Sequence, residues 1–388
     1  MSTNPGRSLE MITKLVGYDT VSRHSNLDLV DFISEYLRGF GIKSHLVYND
    51  TGTKANIFAT VGPPSEHGVL LSGHLDVVPV DGQAWNSNPF KVVSHNRRLY
   101  GRGTADMKSF IALALARVPD MLAARLKQPI HFGFSYDEEI GCLGAPSMIA
   151  AIQQQLPAID AVIVGEPTSM QVVKAHKGIC VFHTCVHGHE AHSSQMDRGV
   201  SAVMTAARLV NWIRDQGLHN AVTALPNSLF SPPATTLHVG IIKGGTAVNI
   251  ISGDCEFQWD LRNIPEDDPQ SMLRLFNDYC EQTIVPDMRL VGQDCSITTA
   301  QQAAAPAMRA EPHGRAEALC QRLLGCHDST AVSYATEGGQ FQKAGYSTIV
   351  CGPGSIDQAH QADEYVELSQ IEKAEVFLSR LIHQQIHQ

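Results

Sequence analysis

Apolar residues recur at helical spacing at Leu9, Ile12, Leu15 and Val16, and again at Val30, Ile33 and Leu37 ahead of Gly39 and Gly41. Two amphipathic helices are therefore predicted to open the chain, the first within 1–20. Short apolar runs then alternate with helical stretches. Strands are predicted over 44–48, 56–61 and 69–71, a helix over 107–117, a strand over 130–135, a helix over 145–155 and a short buried strand over 161–164. That order predicts an α/β sheet covered by helices, with its sites at the strand ends.

The grammar changes near Ile179. A strand (179–186), a helix (199–214), two strands (235–242 and 255–261), a helix (269–283) and a short strand near 288–291 follow. This βαββαβ order is the split-βαβ signature of a small ferredoxin-like sandwich. A helix (315–324), strands (331–334 and 348–351) and a final helix (368–383) return to the first style. The expected organisation is a larger α/β domain of 1–178 and 292–388 with a smaller domain, 179–291, inserted into it.

Composition narrows the picture. At 388 residues the chain is too long for one ordinary core, which agrees with two domains. Hydrophobic residues at 43% and charged residues at 18% describe a globular protein without a disordered block. A net charge of −10 leaves no basic stripe for nucleic acid. The nine cysteines are odd in number, scattered and without a C-x-x-C, as expected of small buried hydrophobes in a reducing compartment. No apolar run reaches the length of a membrane span and residues 1–20 lack a signal-peptide core, so a cytoplasmic protein is expected.

Polar clusters interrupt this apolar pattern at predicted strand ends and loops. His74 and Asp76 follow the run Val69-Leu70-Leu71. Side chains two residues apart leave an extended strand on the same side, so Asp76 can fix the tautomer of a metal-bound His74. A core histidine beside a turn-capping aspartate is the plainer alternative. Asp106 stands at the start of a helix after Gly101-Arg102-Gly103-Thr104, where capping and ligation are compatible. Asp137-Glu138-Glu139 at a strand end repel one another unless cations sit among them. Glu166 ends another buried strand, and His360 lies in the polar segment 358–365. Two histidines (His74, His360) and three carboxylates (Asp106, Glu139, Glu166) are too many for one tetrahedral zinc and suit two, one carboxylate being shared. Glu138 is then left over as a general base.

The motifs G-H-L-D-V-V-P, G-R-G-T-A-D-M-K, D-E-E-I-G, G-E-P-T and the late histidine, in that order across nearly the whole chain, resemble those of the dinuclear zinc amidohydrolases. That family groups aminoacylases, glutamate carboxypeptidases, desuccinylases and deacetylases. Gly165-Glu166-Pro167-Thr168-Ser169, His176-Lys177-Gly178, Thr336-Glu337 and the segment 351–361 are similar to its acetylornithine deacetylase branch. The resemblance implies a zinc-peptidase-like catalytic domain and an inserted lid that dimerises. It implies two zinc ions per subunit, with cobalt as a substitute. His74 and Glu166 would bind one ion, Glu139 and His360 the other, and Asp106 would bridge; Asp76 would orient His74 and Glu138 would be the base. The implied reaction is hydrolysis of an N-acyl amino acid, N2-acetyl-L-ornithine in this branch, within arginine biosynthesis.

On the lid, Gly188-His189-Glu190-Ala191-His192-Ser193 is similar to the family loop that lends a histidine to the partner's site. His192 fits that position, with His189 as the alternative, and its task would be oxyanion stabilisation. Asn249 and Arg262 match positions that contact the substrate carboxylate in relatives. Arg262 suits a bidentate grip, and it suits equally an ion pair with Asp260 or Glu256. Lys177 can reach the same carboxylate, and Glu337 can pair with a substrate ammonium. His183, His187, His238, His383 and His387 are expected to be core or surface groups. Two other readings stay open. One is a sister enzyme acting on succinyl-diaminopimelate or another N-acyl amino acid; the other is an inactive binding protein of the same fold.

Overall fold

The computed structural model describes residues 5–387, so the first four positions of the predicted opening helix lie outside the described residues. The chain divides into two compact units, one of residues 1–175, 308–331 and 336–388, the other of 176–307 and 332–335.

The first unit is built on an eight-stranded mixed sheet. Its spatial order is Ser44–Tyr48, Ala55–Val61, Ile130–Ser135, Gly68–His74, Ile159–Pro167, Thr348–Gly352, Val173–His176 and Thr330–Val332. The four central strands, from Ile130–Ser135 to Thr348–Gly352, run parallel to one another. They are buried along both faces, which is why they read as continuous apolar runs rather than as alternating ones. Helix Lys108–Ala116 is buried at all nine positions, so beyond Lys108 and Ser109, which hydrogen-bond to backbone carbonyls, its sequence is apolar all round rather than on one stripe. Gly165 allows this helix to lie on the sheet: a Cβ there would stand 2.0 Å from the Phe110 ring. Because the central strands are parallel, their carboxyl ends fall along one edge of the sheet, where ligands bind in such folds.

The second unit runs strand, helix, strand, strand, helix, strand. Its sheet has the order Thr236–Gly244, Asp254–Arg262, Ile179–His187 and Ser296–Ala305, every neighbour antiparallel. Phe182, Val186, Phe257, Trp259 and Leu261 point from it into a core shared with Leu209 and Ile213 of helix Ala202–Val222 and Phe276 of helix Pro269–Tyr279. Ser201 caps the first helix by accepting from the Met204 amide, and Asp268 caps the second by accepting from the Gln270 amide.

One expected element is replaced by another. Residues 288–291 do not form a strand. Pro286 sits in the first turn of a further helix, Val285–Arg289, where its missing N–H costs no hydrogen bond. The fourth strand is Ser296–Ala305, beyond the boundary expected at 291, so residues 292–307 belong to the second unit. Its β-branched signal is confined to Ile297, Thr298 and Thr299, and the Gln and Ala that follow do not mark a strand in sequence. Among the described residues no helix is long and apolar enough to cross a membrane.

Candidate metal centre

Four of the central strands deliver the polar clusters to one place. His74 is the last residue of Gly68–His74, Glu138 and Glu139 follow Ile130–Ser135, Glu166 lies near the end of Ile159–Pro167, and His360 follows Thr348–Gly352. Asp106 comes from the loop ahead of helix Lys108–Ala116, past a cis peptide bond to Met107. It is not the helix cap, a position that Met107 occupies without a side-chain bond. Instead its two oxygens face two imidazoles. Oδ1 is 3.0 Å from His74 Nε2, and Oδ2 is 3.3 Å from His360 Nε2. Around that axis, Glu166 Oε1 lies 3.6 Å from His74 Nε2, and Glu139 Oε2 lies 3.0 Å from His360 Nε2.

Donor atoms of His74, Asp106 and Glu139 lie within 4.8 Å of one another, and so do those of His74, Glu138 and Glu166. Glu138 therefore stands in the cluster itself rather than beside it. The thiol of Cys142 donates to Glu138 Oε1 at 3.3 Å.

Asp76 holds this arrangement in a way that strand periodicity did not anticipate. The strand ends at His74, and the chain then turns so that the Asp76 carbonyl, not its carboxylate, receives His74 Nδ1–H at 2.8 Å. The carboxylate is 3.6 Å from that nitrogen. It accepts instead from the Ser22 hydroxyl at 2.7 Å and from the backbone amides of Glu138 and Glu139 at 3.0 and 3.2 Å. One residue thus gives His74 Nδ1 its acceptor, so that Nε2 is the nitrogen presented to the cluster, and it pins the turn that carries both glutamates.

A second support comes from Glu364, to which the sequence reading gave no role. Its carboxylate accepts from the backbone amides of Gly103, Ala105 and Asp106 at 2.8–3.1 Å and pairs with Arg102 at 2.7 Å, both side chains being 1% exposed. Gly103, at φ +86°, gives the loop the left-handed turn that brings these amides together. The signal was an acidic residue four positions after His360, visible only once the pairing with Arg102 is known.

The charges are frustrated. Burial pushes Glu138 and Glu166 well above the usual carboxylate range, and burial together with the charge of Asp106 raises Glu139 to about 7. Burial also acts to raise Asp106, but hydrogen bonds from His360 and His74 overcome it and hold that carboxyl low. His360 is raised to about 10 by its bonds to Asp106 and Glu139. For His74, burial alone would lower the pKa; the carboxylates of Glu166, Asp106 and Glu138 outweigh it and raise it. Glu166 Oε1 is buried without a hydrogen-bond partner, an expensive state for a carboxylate oxygen. Buried acids forced to hold protons, an orphaned oxygen and two imidazoles form a nitrogen-and-oxygen donor set that divalent cations fit.

The remaining candidates are placed as follows. In the first unit Glu337 is buried and accepts from the hydroxyls of Ser72, at 3.3 Å, and Ser135. In the second unit Arg262 pairs with Asp260 at 2.9 Å, and Lys177 is buried with its ammonium donating to the Ala234 carbonyl at 2.6 Å. Asn249 is exposed, its carbonyl accepting from the Ser193 amide. His192 is exposed with Nδ1 2.8 Å from the Ser194 hydroxyl, while the backbone of His189 is tied to Val200.

A mixed sheet with this much acid and imidazole at the ends of its parallel strands is the chassis of a metal-dependent amide hydrolase. The chain belongs to Peptidase family M20/M25/M40, whose model matches residues 70–384. It is 34% identical to the acetylornithine deacetylase of Myxococcus xanthus over 96% of this chain and 95% of that protein. It is 32% identical to that of Pasteurella multocida over 97% of each. Among solved structures, an M20 family metallo-carboxypeptidase from Sulfolobus solfataricus shares the fold at a TM-score of 0.75 and 16% identity, over 98% of this chain and 99% of that one.

Proposed function

We propose that the protein hydrolyses the amide of N2-acetyl-L-ornithine to L-ornithine and acetate, as a cytoplasmic step of arginine biosynthesis. The observation that carries the reading is Asp106, with one oxygen on each of two imidazoles. Near full-length similarity to two acetylornithine deacetylases supports the choice of substrate. His74 and Glu166 would hold one metal ion, Glu139 and His360 the other, and Asp106 would bridge them. Bound there, zinc, or cobalt in its place, supplies the Lewis acidity that lowers the pKa of water and polarises an amide carbonyl.

The chain's own groups do the rest. Glu138 takes the proton of the attacking water on a carboxylate oxygen and returns it to the departing amine nitrogen, which leaves poorly unless protonated. Burial favours its protonated form, as the second half of that task needs. Asp76 keeps His74 in one tautomer and Glu138 in place. His192, lent across a homodimer formed through the second unit, steadies the oxyanion. Arg262, Asn249 and Lys177 recognise the substrate carboxylate; for Arg262 this means leaving Asp260, an exchange of one carboxylate for another. Glu337 would pair with the ornithine ammonium by exchanging its serine hydroxyls for a charged donor, so Glu337→Gln should raise KM for acetylornithine. An unchanged KM would remove Glu337 from the site.

The metal ligands and the base meet only the amide, so the acyl amino acid is decided elsewhere. The deciding experiment presents acetylornithine, succinyl-diaminopimelate and acetylmethionine to the zinc-loaded protein, with and without chelator. Preferential hydrolysis of acetylornithine, abolished by chelation, is the expected result. Preference for another of the three would transfer the assignment to a sister enzyme, and no hydrolysis of any would leave a binding protein.

A further inference from the structure

The face of the second unit's sheet that points away from its core carries a cluster used in none of the steps above. Antiparallel alternation sends Cys180, Phe182, Thr184 and Val186 into the core, all of them buried. It leaves His183, Cys185 and His187 on the other face. The register then sets Glu256 opposite Cys185 and Asp254 opposite His187 on the neighbouring strand. His183 Nε2 lies 3.0 Å from Glu256 Oε2 and 3.8 Å from Cys185 Sγ. The three donor atoms all fall within 4.8 Å of one another. A tetrahedral zinc ion spaces its nitrogen, oxygen and sulfur donors by roughly 3.3–3.6 Å, so only small side-chain rotations separate the cluster from a coordination sphere.

We propose that His183, Cys185 and Glu256 form a further divalent-cation site, selective for ions of the zinc and cobalt class, with its fourth position left to water. The donor set makes the selection. A thiolate and an imidazole beside one carboxylate suit borderline-soft ions and not magnesium or calcium, which require oxygen. The scaffold makes the spacing. Two donors sit two residues apart on one strand and the third directly across the ladder, so backbone hydrogen bonds fix all three. A cavity of about 500 Å³, lined in part by Cys185, Glu190, Lys243, Asp254 and Glu256, gives a hydrated ion a way in. On binding, the Cys185 S–H bond breaks, its proton leaves to solvent and a sulfur–metal bond forms. Because the ligand is the thiolate, binding releases one proton and strengthens as pH rises. The ion would tie the two middle strands of the sheet together.

The test uses the full chain, saturated first with zinc at its main centre and then titrated with cobalt(II). Metal content and thiolate-to-metal charge-transfer absorption are followed together. The expected result is one further equivalent per chain, accompanied by a thiolate band. Both are lost in Cys185→Ser, the affinity falls by more than about tenfold in Glu256→Gln, and both are retained in Cys142→Ser. That last variant matters because Cys142 is the thiol beside Glu138. Persistence of the band in Cys185→Ser, its loss in Cys142→Ser, or the lack of a further equivalent in the unaltered protein would each overturn the proposal. None of these readouts depends on hydrolysis, so they stand or fall apart from the assigned reaction.

Discussion

Glu138 and Glu139 are neighbours in sequence but enter the cluster from different sides, one toward His74 and Glu166, the other toward His74 and Asp106. The sequence could mark the acidic triplet but not this division of labour, because side-chain direction at a turn follows no period. Asp137, the third member, leaves the cluster to pair with Lys54. Glu138→Gln removes a proton acceptor while keeping the shape. Turnover should fall by about 10²–10⁴ with the metal content of the unaltered protein retained by elemental analysis; loss of an equivalent would make Glu138 a ligand. Glu364 acts at one remove from the metals. Glu364→Gln withdraws the charge that Arg102 and three amides share, so Asp106 should be held less firmly. Metal affinity should drop by about 10–100-fold, visible as activity that returns only at higher added zinc.

The elements were legible where period and burial agree. The parallel strands, helix Lys108–Ala116 and the final helix all carry long apolar signals, and the structure sets them close to where the pattern does. Strand Ser296–Ala305 escaped because nine of its ten residues are polar or alanine and its outward positions are exposed. At Gly165 the close approach of helix and strand gives a sharp expectation. Gly165→Ala drives a methyl into Phe110 and should cost about 3 kcal/mol or more, part of which Phe110→Leu should restore in urea unfolding.

Strand Ile130–Ser135 also carries a buried histidine. His131 Nδ1 meets the Thr60 hydroxyl at 2.9 Å while Nε2 has no partner, so the neutral ring with an unprotonated Nε2 leaves no orphaned donor. Burial lowers its pKa to about 4, and does the same to His176. Between the ordinary histidine value and that lowered one, the unfolded chain binds the proton and the folded chain does not. The stability these groups lend is therefore complete above about pH 6.5 and lost as pH falls toward about 4. Moving from about pH 7.5 to about pH 5 should remove roughly 2 kcal/mol for each. In His131→Gln the slope of stability against pH should be shallower; an equal slope would assign the loss to other groups.

At the scale of the molecule, two cores were visible as a change of grammar near Ile179, while the return point was misplaced because the last strand of the second core is the weak one. Metals that bind only the folded chain add to its stability by mass action, about 4 kcal/mol per ion at a thousandfold excess over Kd. Chelation should accordingly lower the thermal midpoint of the unit that holds the cluster. Strand Thr236–Gly244 is an unpaired sheet edge, and Ile241, Ile242, Val248 and Met204 are exposed in the same unit. Such edges invite pairing with another chain. In the homodimer proposed above, Ile242→Lys should therefore shift sedimentation from dimer to monomer, and hydrolysis should fall with it if His192 works in the partner's site.

The cradle around Asp106 has a consequence for how the protein is made. The amide of Asp106 waits for a carboxylate 258 residues further along the chain, and His360 arrives only four residues before that carboxylate. A growing polypeptide on the ribosome therefore carries Asp106, Glu139 and Glu166 through most of its synthesis without the clasp that shapes them. The cluster is therefore complete only once the last part of the chain has been made.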